Sequence, residues 1–206
     1  MPPFRKKQLE ILLSKLQVHP HPKLKYETYS LDAGCAAQFL HIAGYIYHDI
    51  KEKRVVDLGC GTGILAIGAM ILGASNSTGI DIDPDSISMA ALNADQIGVH
   101  LNLIAGDIDT LHSRNFDTTL MNPPFGSWHK GMDMTFLEKA LELSSTIYSL
   151  HKQSSSSRQY ISRKVKQWGG GIDQIFELQV ELRPTFPFHR QTKYHVDCDL
   201  YRIVTH

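Results

Sequence analysis

The chain has 206 residues, 42% of them hydrophobic, which is enough to bury the core of one α/β domain with modest additions. Lysine plus arginine and aspartate plus glutamate number 21 each, so the net charge indicates no polyanion partner, and any nucleic-acid site must be a local patch. The 3 cysteines lack C-x-x-C spacing, the 11 histidines lack H-E-x-x-H spacing, and neither a signal peptide nor a bilayer-spanning run is present, so we expect an intracellular protein with reduced thiols, no metal site and no membrane contact.

The first fifty residues are predicted to cap a core that spans 54–206, the whole forming a single domain. Residues 4–18 carry four leucines on one helical face, which predicts an amphipathic helix that ends at a His-Pro-His-Pro segment. Residues 23–31 are polar and aromatic without a clear period, which predicts a covering loop. Residues 33–50 resume a helical pattern. This part of the chain therefore forms a helical cap and a lid segment, 1–50.

A glycine-rich turn follows the first predicted strand of the core. Residues 54–58 are apolar except for Asp57, and they run directly into Gly59-Cys60-Gly61-Thr62-Gly63. Such a turn, followed by a helix from Ile64, lets a ligand lie against bare backbone at a helix N-terminus. Residues 61–66 also satisfy the pattern G-x-G-x-x-A, so a nicotinamide dinucleotide enzyme is an alternative at this point.

Two further predicted strands end in carboxylates. The strand 77–82 carries Asp81 at its tip, where a carboxylate can accept both hydroxyls of a ribose, and Asp83 is already available to cap the next helix. The strand 101–105 is followed by Asp107-Ile108, in which the acid suits an adenine amine and the apolar residue suits a ring face. The order of these parts predicts an adenosine-type ligand.

A rigid loop, Asn122-Pro123-Pro124-Phe125, follows the predicted strand 116–121. Two consecutive prolines remove two backbone donors and fix two φ angles, so the loop continues neither a helix nor a central strand. The Asn122 side-chain oxygen and the Pro123 carbonyl can accept two hydrogen bonds while Phe125 stacks, which suits a planar amine. A tight turn whose aromatic ring only packs in the core is the structural alternative, and the upstream pattern disfavours it.

The last third of the chain is predicted to contain two helices, three strands and a polar connection. The connection, 151–157, is expected to be mobile. Two basic clusters are either solvated faces or nucleic-acid contacts. The first is Arg158, Arg163, Lys164 and Lys166, and the second is His189, Arg190 and Lys193. The helices are predicted at 133–144 and 158–168, and the strands at 146–150, 174–182 and 194–204.

Four motifs occur in a fixed order along the core: Asp57 to Gly63, Gly79 to Asp81, Gly106 to Ile108 and Asn122 to Phe125. This succession, within residues 54–150, resembles the class I S-adenosylmethionine-dependent methyltransferases that act on amino groups. More narrowly, the chain resembles the methyltransferase-like family that makes N6-methyladenosine in small-subunit ribosomal RNA. That likeness spans nearly the whole chain and adds Pro22-Lys23-Leu24, Glu27-x-Tyr29, Lys130-Gly131-x-Asp133-Met134 and Tyr148-Ser149-Leu150-His151-Lys152.

The resemblance implies a Rossmann-like α/β fold with a seven-stranded, mostly parallel sheet, helices on both faces and a last hairpin that is partly antiparallel. It implies S-adenosylmethionine as cofactor, small-subunit ribosomal RNA as substrate, and a heterodimer with a small zinc-binding activator protein that covers an apolar edge. In a eukaryote it implies the nucleus or the cytoplasm. The implied catalytic loop is Asn122, Pro123, Pro124 and Phe125. The implied cofactor contacts are Thr28, Asp57, Gly59, Thr62, Ile64, Asp81, Asp107 and Ile108.

The segment before the core departs from the family pattern. The family usually has Glu-Gln-Tyr-x-Thr, where this chain has Glu27-Thr28-Tyr29-Ser30-Leu31. Thr28 can still bond the cofactor, whereas Leu31 cannot replace a hydroxyl.

The loop chemistry fits an adenine amine, whose lone pair is delocalised into the ring and makes it a poor nucleophile. Hydrogen bonds to Asn122 and the Pro123 carbonyl would favour a pyramidal nitrogen in line with the methyl group, so no general base of shifted pKa is required. A stack on Phe125 is worth about 1 to 3 kcal/mol, comparable to the cost of unstacking one base. The expected target is therefore a flipped or single-stranded adenosine.

Alternative functions use parts of the same pattern. One alternative is a protein glutamine-N5 methyltransferase, because an amide nitrogen has the same delocalised lone pair. Such enzymes usually have Tyr after the prolines, whereas this chain has Phe125, which stacks better on a base. Guanine N2 and cytosine N4 remain possible acceptors. A non-catalytic scaffold would not be expected to keep Asp81, Asp107 and Asn122 intact, and a nicotinamide dehydrogenase leaves the proline loop unexplained.

Overall fold

A seven-stranded sheet forms the centre of the protein. The computed structural model describes residues 5–18, 31–112, 116–124, 131–182 and 194–205. The helices are α1 (Lys6–Leu13), α2 (Ala33–His41), α3 (Ile64–Ile71), α4 (Pro84–Ile97), α5 (Met132–Leu143) and α6 (Ser155–Gln167). The strands are β1 (Arg54–Leu58), β2 (Asn76–Asp81), β3 (Asn102–Ala105), β4 (Phe116–Met121), β5 (Ser144–Lys152), β6 (Gly170–Leu182) and β7 (Tyr194–Thr205).

The strand order is β3-β2-β1-β4-β5-β7-β6. Strands β1 to β5 pair in parallel, whereas β7 runs antiparallel to both β5 and β6. The predicted seven-stranded, mostly parallel sheet with a partly antiparallel last hairpin is therefore confirmed. The order reverses between β1 and β4, and ligands bind at such a switch point in open α/β sheets.

Helices cover both faces of the sheet, as predicted. On one face α1, α2 and α3 pack on a cluster that includes Leu40, Val55, Leu120 and Tyr148. On the other face α5 and α6 pack on a separate cluster built around Met121 and Tyr201. Apolar side chains of the central strands alternate between the two clusters because successive strand residues point to opposite faces.

The N-terminal helices are shorter than the sequence pattern predicted. Helix α1 ends at Leu13, with Leu9 and Leu13 buried. The pattern of residues 33–50 divides into α2 and a π-helical turn, Ile42–Ile46, and Ile46 is exposed. The predicted covering loop and the His-Pro segment lie outside the described residues, except that Leu31 is buried. None of the described helices has the length and apolarity needed to cross a membrane.

The prediction of a mobile segment at 151–157 is wrong. His151 and Lys152 continue β5 by pairing with Asp199 and Cys198 of β7. Helix α6 then begins at Ser155, and the hydroxyl of Ser154 caps it by accepting a hydrogen bond from the Ser157 amide. The local composition is polar, but burial against β7 and a serine cap stabilise ordered structure here.

Arg158, predicted to belong to a basic cluster, forms ion pairs within the fold. Its guanidinium donates two hydrogen bonds to the Asp199 carboxylate, at 2.7 and 2.6 Å, and one to Glu177 at 2.7 Å. Asp199 is completely buried. A buried carboxylate requires such a partner, so Arg158 is a structural residue. The second basic cluster, His189, Arg190 and Lys193, lies outside the described residues.

We expect Arg158→Gln to lower the free energy of unfolding, because it leaves the buried Asp199 charge with weaker partners. Urea unfolding measures the change. Lys166→Gln is the matched control, since Lys166 is an exposed basic residue on the same helix. Equal stability of the two variants would show that the ion pair contributes nothing.

Candidate active site

The carboxyl ends of four parallel strands meet at one edge of the sheet. Leu58 of β1 lies beside Ile80 of β2 and Met121 of β4, and Asp81 lies beside Ala105 of β3. The glycine turn, Asp107 and Asn122 come after β1, β3 and β4, respectively. Asp81 is the last residue of β2, which lies between β1 and β3. The structure brings together the glycine turn, both acidic positions and Asn122, which the sequence separates by more than sixty residues.

The glycine turn after β1 has a backbone that tolerates no side chain at its first position. Gly59 has a φ of 69°, and a Cβ there would lie 2.9 Å from Cε1 of Phe136 on α5. The amides of Gly59 and Cys60 both donate to the Ile80 carbonyl, at 2.9 and 3.0 Å. The turn is thus held against β2, and its surface beyond Gly61 stays open, because a Cβ at Gly61 would meet nothing within 4 Å.

Asp57 lies beneath this turn and is buried, with 2% exposure. Its Oδ2 accepts a hydrogen bond of 3.0 Å from the Ala66 amide in the first turn of α3. The pKa of this carboxyl is raised to about 7, mainly by burial and to a smaller extent by the charge of Asp81, while the Ala66 hydrogen bond opposes the rise. The carboxylate therefore ties the strand end to the start of α3, where Ile64 is the first residue.

Asp81 holds two backbone segments together. Its Oδ2 accepts from the Gly61 amide at 2.8 Å, and its Oδ1 accepts from the Asp83 amide at 2.9 Å. Asp83 itself caps α4 by accepting from the Asp85 amide, as predicted. Each carboxylate oxygen has a second lone pair, so the position remains compatible with ribose hydroxyls.

Two residues that follow β3 differ in exposure: Asp107 faces solvent and Ile108 is buried. Asp107 is exposed, and its Oδ1 accepts from the Asp109 amide at 3.0 Å, while its Oδ2 bonds to no described residue. That free oxygen can accept an amine hydrogen bond. Ile108 is only 6% exposed and packs with Ile80 and Met134, so most of its side chain belongs to the core.

Asn122 carries a buried acceptor atom. Its Oδ1 has no hydrogen-bond partner among the described residues, although the atom is buried. A buried carbonyl oxygen without a partner is costly, by roughly 1 to 3 kcal/mol, and therefore indicates a ligand or a strained functional position. Pro123 is buried and Pro124 half-buried. Phe125 and Thr28 lie outside the described residues, so their predicted contacts stay predictions.

Asn93 is a site residue that the sequence analysis missed. This completely buried α4 side chain donates to the carbonyls of Thr62 and Gln17, both at 3.0 Å, and accepts from the Gln17 amide at 2.8 Å. It thus joins the glycine turn to the N-terminal segment. The available signal was an asparagine inside a helix, a residue type that is unfavourable there unless it bonds elsewhere.

The chain was compared with known proteins. It is 34% identical to rRNA N(6)-adenosine-methyltransferase METTL5 of Danio rerio, over 95% of this chain and 97% of the relative. It is 35% identical to the Drosophila melanogaster protein of the same name, over 95% of this chain and 94% of the relative. The chain belongs to the rRNA N6-adenosine-methyltransferase family.

A solved structure agrees with this assignment. A Pyrococcus horikoshii protein, provisionally described as an RNA methyltransferase, superposes with a TM-score of 0.89 at 32% identity, over 98% of this chain and 96% of that chain. The model of the ribosomal protein L11 methyltransferase (PrmA) family matches residues 31–122. The fold is that of class I S-adenosylmethionine-dependent methyltransferases, as the resemblance implied.

The residues at the strand ends fit S-adenosylmethionine. The open backbone beyond Gly61 would receive the methionine part beside Thr62, whose side chain is almost completely buried. Asp81 would hold the ribose, and the free Oδ2 of Asp107 would accept from the adenine amine. Among the described residues, no group of three or more His, Cys, Asp and Glu side chains is arranged to hold a metal ion.

We expect Asp57→Asn to gain stability relative to the wild type as pH rises from about 4 to about 7. The unfolded Asp57 titrates near 3.8 and the folded one near 7. Above the folded value the native state carries a buried charge, which costs on the order of 4 kcal/mol. Asn can still accept from the Ala66 amide. Urea unfolding at several pH values measures the difference, and a difference independent of pH would contradict the shifted pKa.

We expect Asn93→Ala to destabilise the fold by about 1 to 3 kcal/mol, because it leaves the Thr62 carbonyl and both Gln17 backbone groups without their partner. It should also weaken S-adenosylmethionine binding, measured by titration calorimetry, since the glycine turn loses a support. Asn102→Ala, an exposed asparagine on β3, is the control. Unchanged binding in Asn93→Ala would show that this contact does not position the turn.

Proposed function

We propose that this protein transfers a methyl group from S-adenosylmethionine to N6 of a flipped or single-stranded adenosine in small-subunit ribosomal RNA. The observation that carries the proposal is the buried Oδ1 of Asn122 at the switch point of the sheet, an atom that has no hydrogen-bond partner among the described residues. Relatives at 34% and 35% identity that are named rRNA N6-adenosine methyltransferases support the same activity.

The loop prepares the acceptor nitrogen. Asn122 Oδ1 and the Pro123 carbonyl would accept the two amine protons and favour a pyramidal nitrogen with a localised lone pair. The consecutive prolines keep both acceptors in place, because they fix two φ angles and donate no competing backbone hydrogen bonds. The cofactor supplies a methyl group already activated on its sulfonium, so the chain needs no base for the transfer itself, and the amine proton can pass to water.

A protein substrate is the second candidate. The family model that matches residues 31–122 describes a ribosomal protein methyltransferase, and an amide nitrogen presents the same lone-pair problem. That match, however, covers the cofactor-binding half and ends at Asn122, so it includes only the first residue of the catalytic loop. The relatives named as RNA enzymes match over 95% of the chain. We therefore favour RNA.

We also propose a small zinc-binding activator protein as partner, inside the cell. The sheet ends at β3, which pairs with β2 alone among the described strands. Near this edge strand, Ile82 and Leu92 are 50% and 56% exposed. An open strand edge beside exposed apolar residues supports docking of another chain by strand addition.

We expect Asn122→Ala to keep S-adenosylmethionine binding and to lose about two to three orders of magnitude in turnover, because the variant removes one of two acceptors that act on the reacting amine. Asn122→Asp retains an acceptor oxygen and is the matched control for packing. Methyl transfer at the wild-type rate by Asn122→Ala would overturn the mechanism.

The assay is transfer of labelled methyl groups to purified small-subunit ribosomal RNA by the full chain, co-expressed with the activator, followed by nucleoside mass spectrometry. Labelled N6-methyladenosine supports the proposal, whereas labelled methylguanosine or methylcytidine would show that the acceptor is a different base. Label on a protein of a crude extract, and none on RNA, favours the glutamine methyltransferase.

A further inference from the structure

A small cavity opens beside the catalytic loop, at the carboxyl end of β5. Strand β5 is the parallel neighbour of β4, and their pairing ends with Met121 beside Ser149. The catalytic loop therefore leaves β4 at the level from which β5 continues to His151 and Lys152. The cavity lies between β5, α5 and α6 and has a volume of about 80 Å³. Its lining residues are Asp133, Met134, His151, Lys152, Ser157, Tyr160 and Ile161.

His151 is fixed on the cavity wall. The side chain is buried, its Nε2 lies 2.6 Å from the Ser149 hydroxyl, and its ring packs edge-on against Tyr201 with the ring centres 5.5 Å apart. Its Nδ1 lies 3.6 Å from Asp133 Oδ2, which is too far for a hydrogen bond. Apart from this contact neither atom has a partner among the residues that the structure describes, so both keep capacity for a ligand. A hydroxyl suits them in either histidine tautomer, because it both donates and accepts.

The charged side chains around the cavity favour different ligand groups inside it and at its rim. The Asp133 carboxylate disfavours a phosphate inside the cavity, whereas the exposed Lys152 at its rim makes no ion pair with any described residue and favours one there. On α6, Tyr160 is 43% exposed, and the guanidinium of Arg163 lies 5.4 Å from its ring centre. An exposed aromatic ring next to a cation is a platform for base stacking.

We propose that this cavity is a ribose subsite for a nucleotide that flanks the target adenosine. Asp133 and His151 bond its 2′-hydroxyl, Lys152 contacts the adjoining phosphate, and Tyr160 stacks on its base. The volume admits the edge of a ribose but not a whole nucleoside, since pockets for such ligands are several times larger. The 2′-hydroxyl is the group by which a protein distinguishes RNA from DNA, so this site makes the enzyme selective for RNA. The inference rests on the proposed RNA substrate.

The test compares binding of a fluorescent single-stranded RNA with that of the DNA strand of the same sequence, using the full chain with its activator. We expect the wild type to prefer RNA by about tenfold, the effect of one hydrogen bond to a charged group. Asp133→Ala should abolish the preference while leaving DNA binding unchanged. Glu142→Ala, which removes a carboxylate elsewhere on α5, should keep it. Tyr160→Ala should weaken the binding of both the RNA and the DNA strand, and Tyr160→Phe should bind both as the wild type does.

The outcomes separate this inference from the proposed function. Equal binding of RNA and DNA by the wild type, or a preference that persists in Asp133→Ala, overturns the ribose subsite, even if the enzyme methylates ribosomal RNA. A preference for RNA that is lost in Asp133→Ala supports the subsite. If the labelling assay then shows no methyl transfer to ribosomal RNA, only the proposed function is overturned.

Discussion

The carboxylate of Asp81 is the contact on which the site depends. It accepts one backbone hydrogen bond from the glycine turn after β1 and one from the segment that leads into α4. These bonds add to the Ile80 carbonyl and the Asn93 side chain, which also hold the glycine turn against β2 and α4. The constraint explains why the cofactor-binding half is built from short connections at one sheet edge, where parallel strands place their ends side by side.

The catalytic loop follows a different principle, because its two prolines make it rigid through covalent structure. Two prolines hold Asn122 in position, and its Oδ1 stays unpartnered within the described residues. An acceptor fixed before the substrate arrives needs little reorganisation during the reaction, which is how preorganised groups lower a barrier. The chain tolerates one unpaired polar atom here because the rest of the strand end is well packed, with Leu120 and Met121 completely buried.

A chain of zero formal net charge that binds RNA must recognise it through local chemistry. Arg158 is engaged by Asp199 and Glu177, so this member of the basic cluster of α6 is committed to the fold. The proposed ribose subsite would use a sugar hydroxyl, a single phosphate and base stacking. Such contacts depend less on salt than a broad basic surface does.

The residues alone determined much of the site. Glycine spacing, strand-end acids and the proline loop each reflect local covalent or hydrogen-bonding requirements, so Asp81, Asp107 and Asn122 were predicted as site residues from the sequence, whereas a cofactor role for Asp57 was implied by the family resemblance. The strand boundaries of β1 and β4 were also predicted correctly, because continuous apolar runs indicate buried strands. The helix cap at Asp83 followed from a local rule as well.

Only the tertiary structure decided which polar residues are buried. Asn93, His151 and Asp199 look like surface residues in the sequence, yet each is buried. Asn93 and Asp199 bond to groups that lie far away along the chain, and the ring of His151 packs on the distant Tyr201. Their roles depend on the packing of α4 on the glycine turn and of β5 on β7, which no local pattern encodes. Sequence periodicity reports which residues can be apolar neighbours, whereas the partner of a buried polar group is fixed only when distant segments come together.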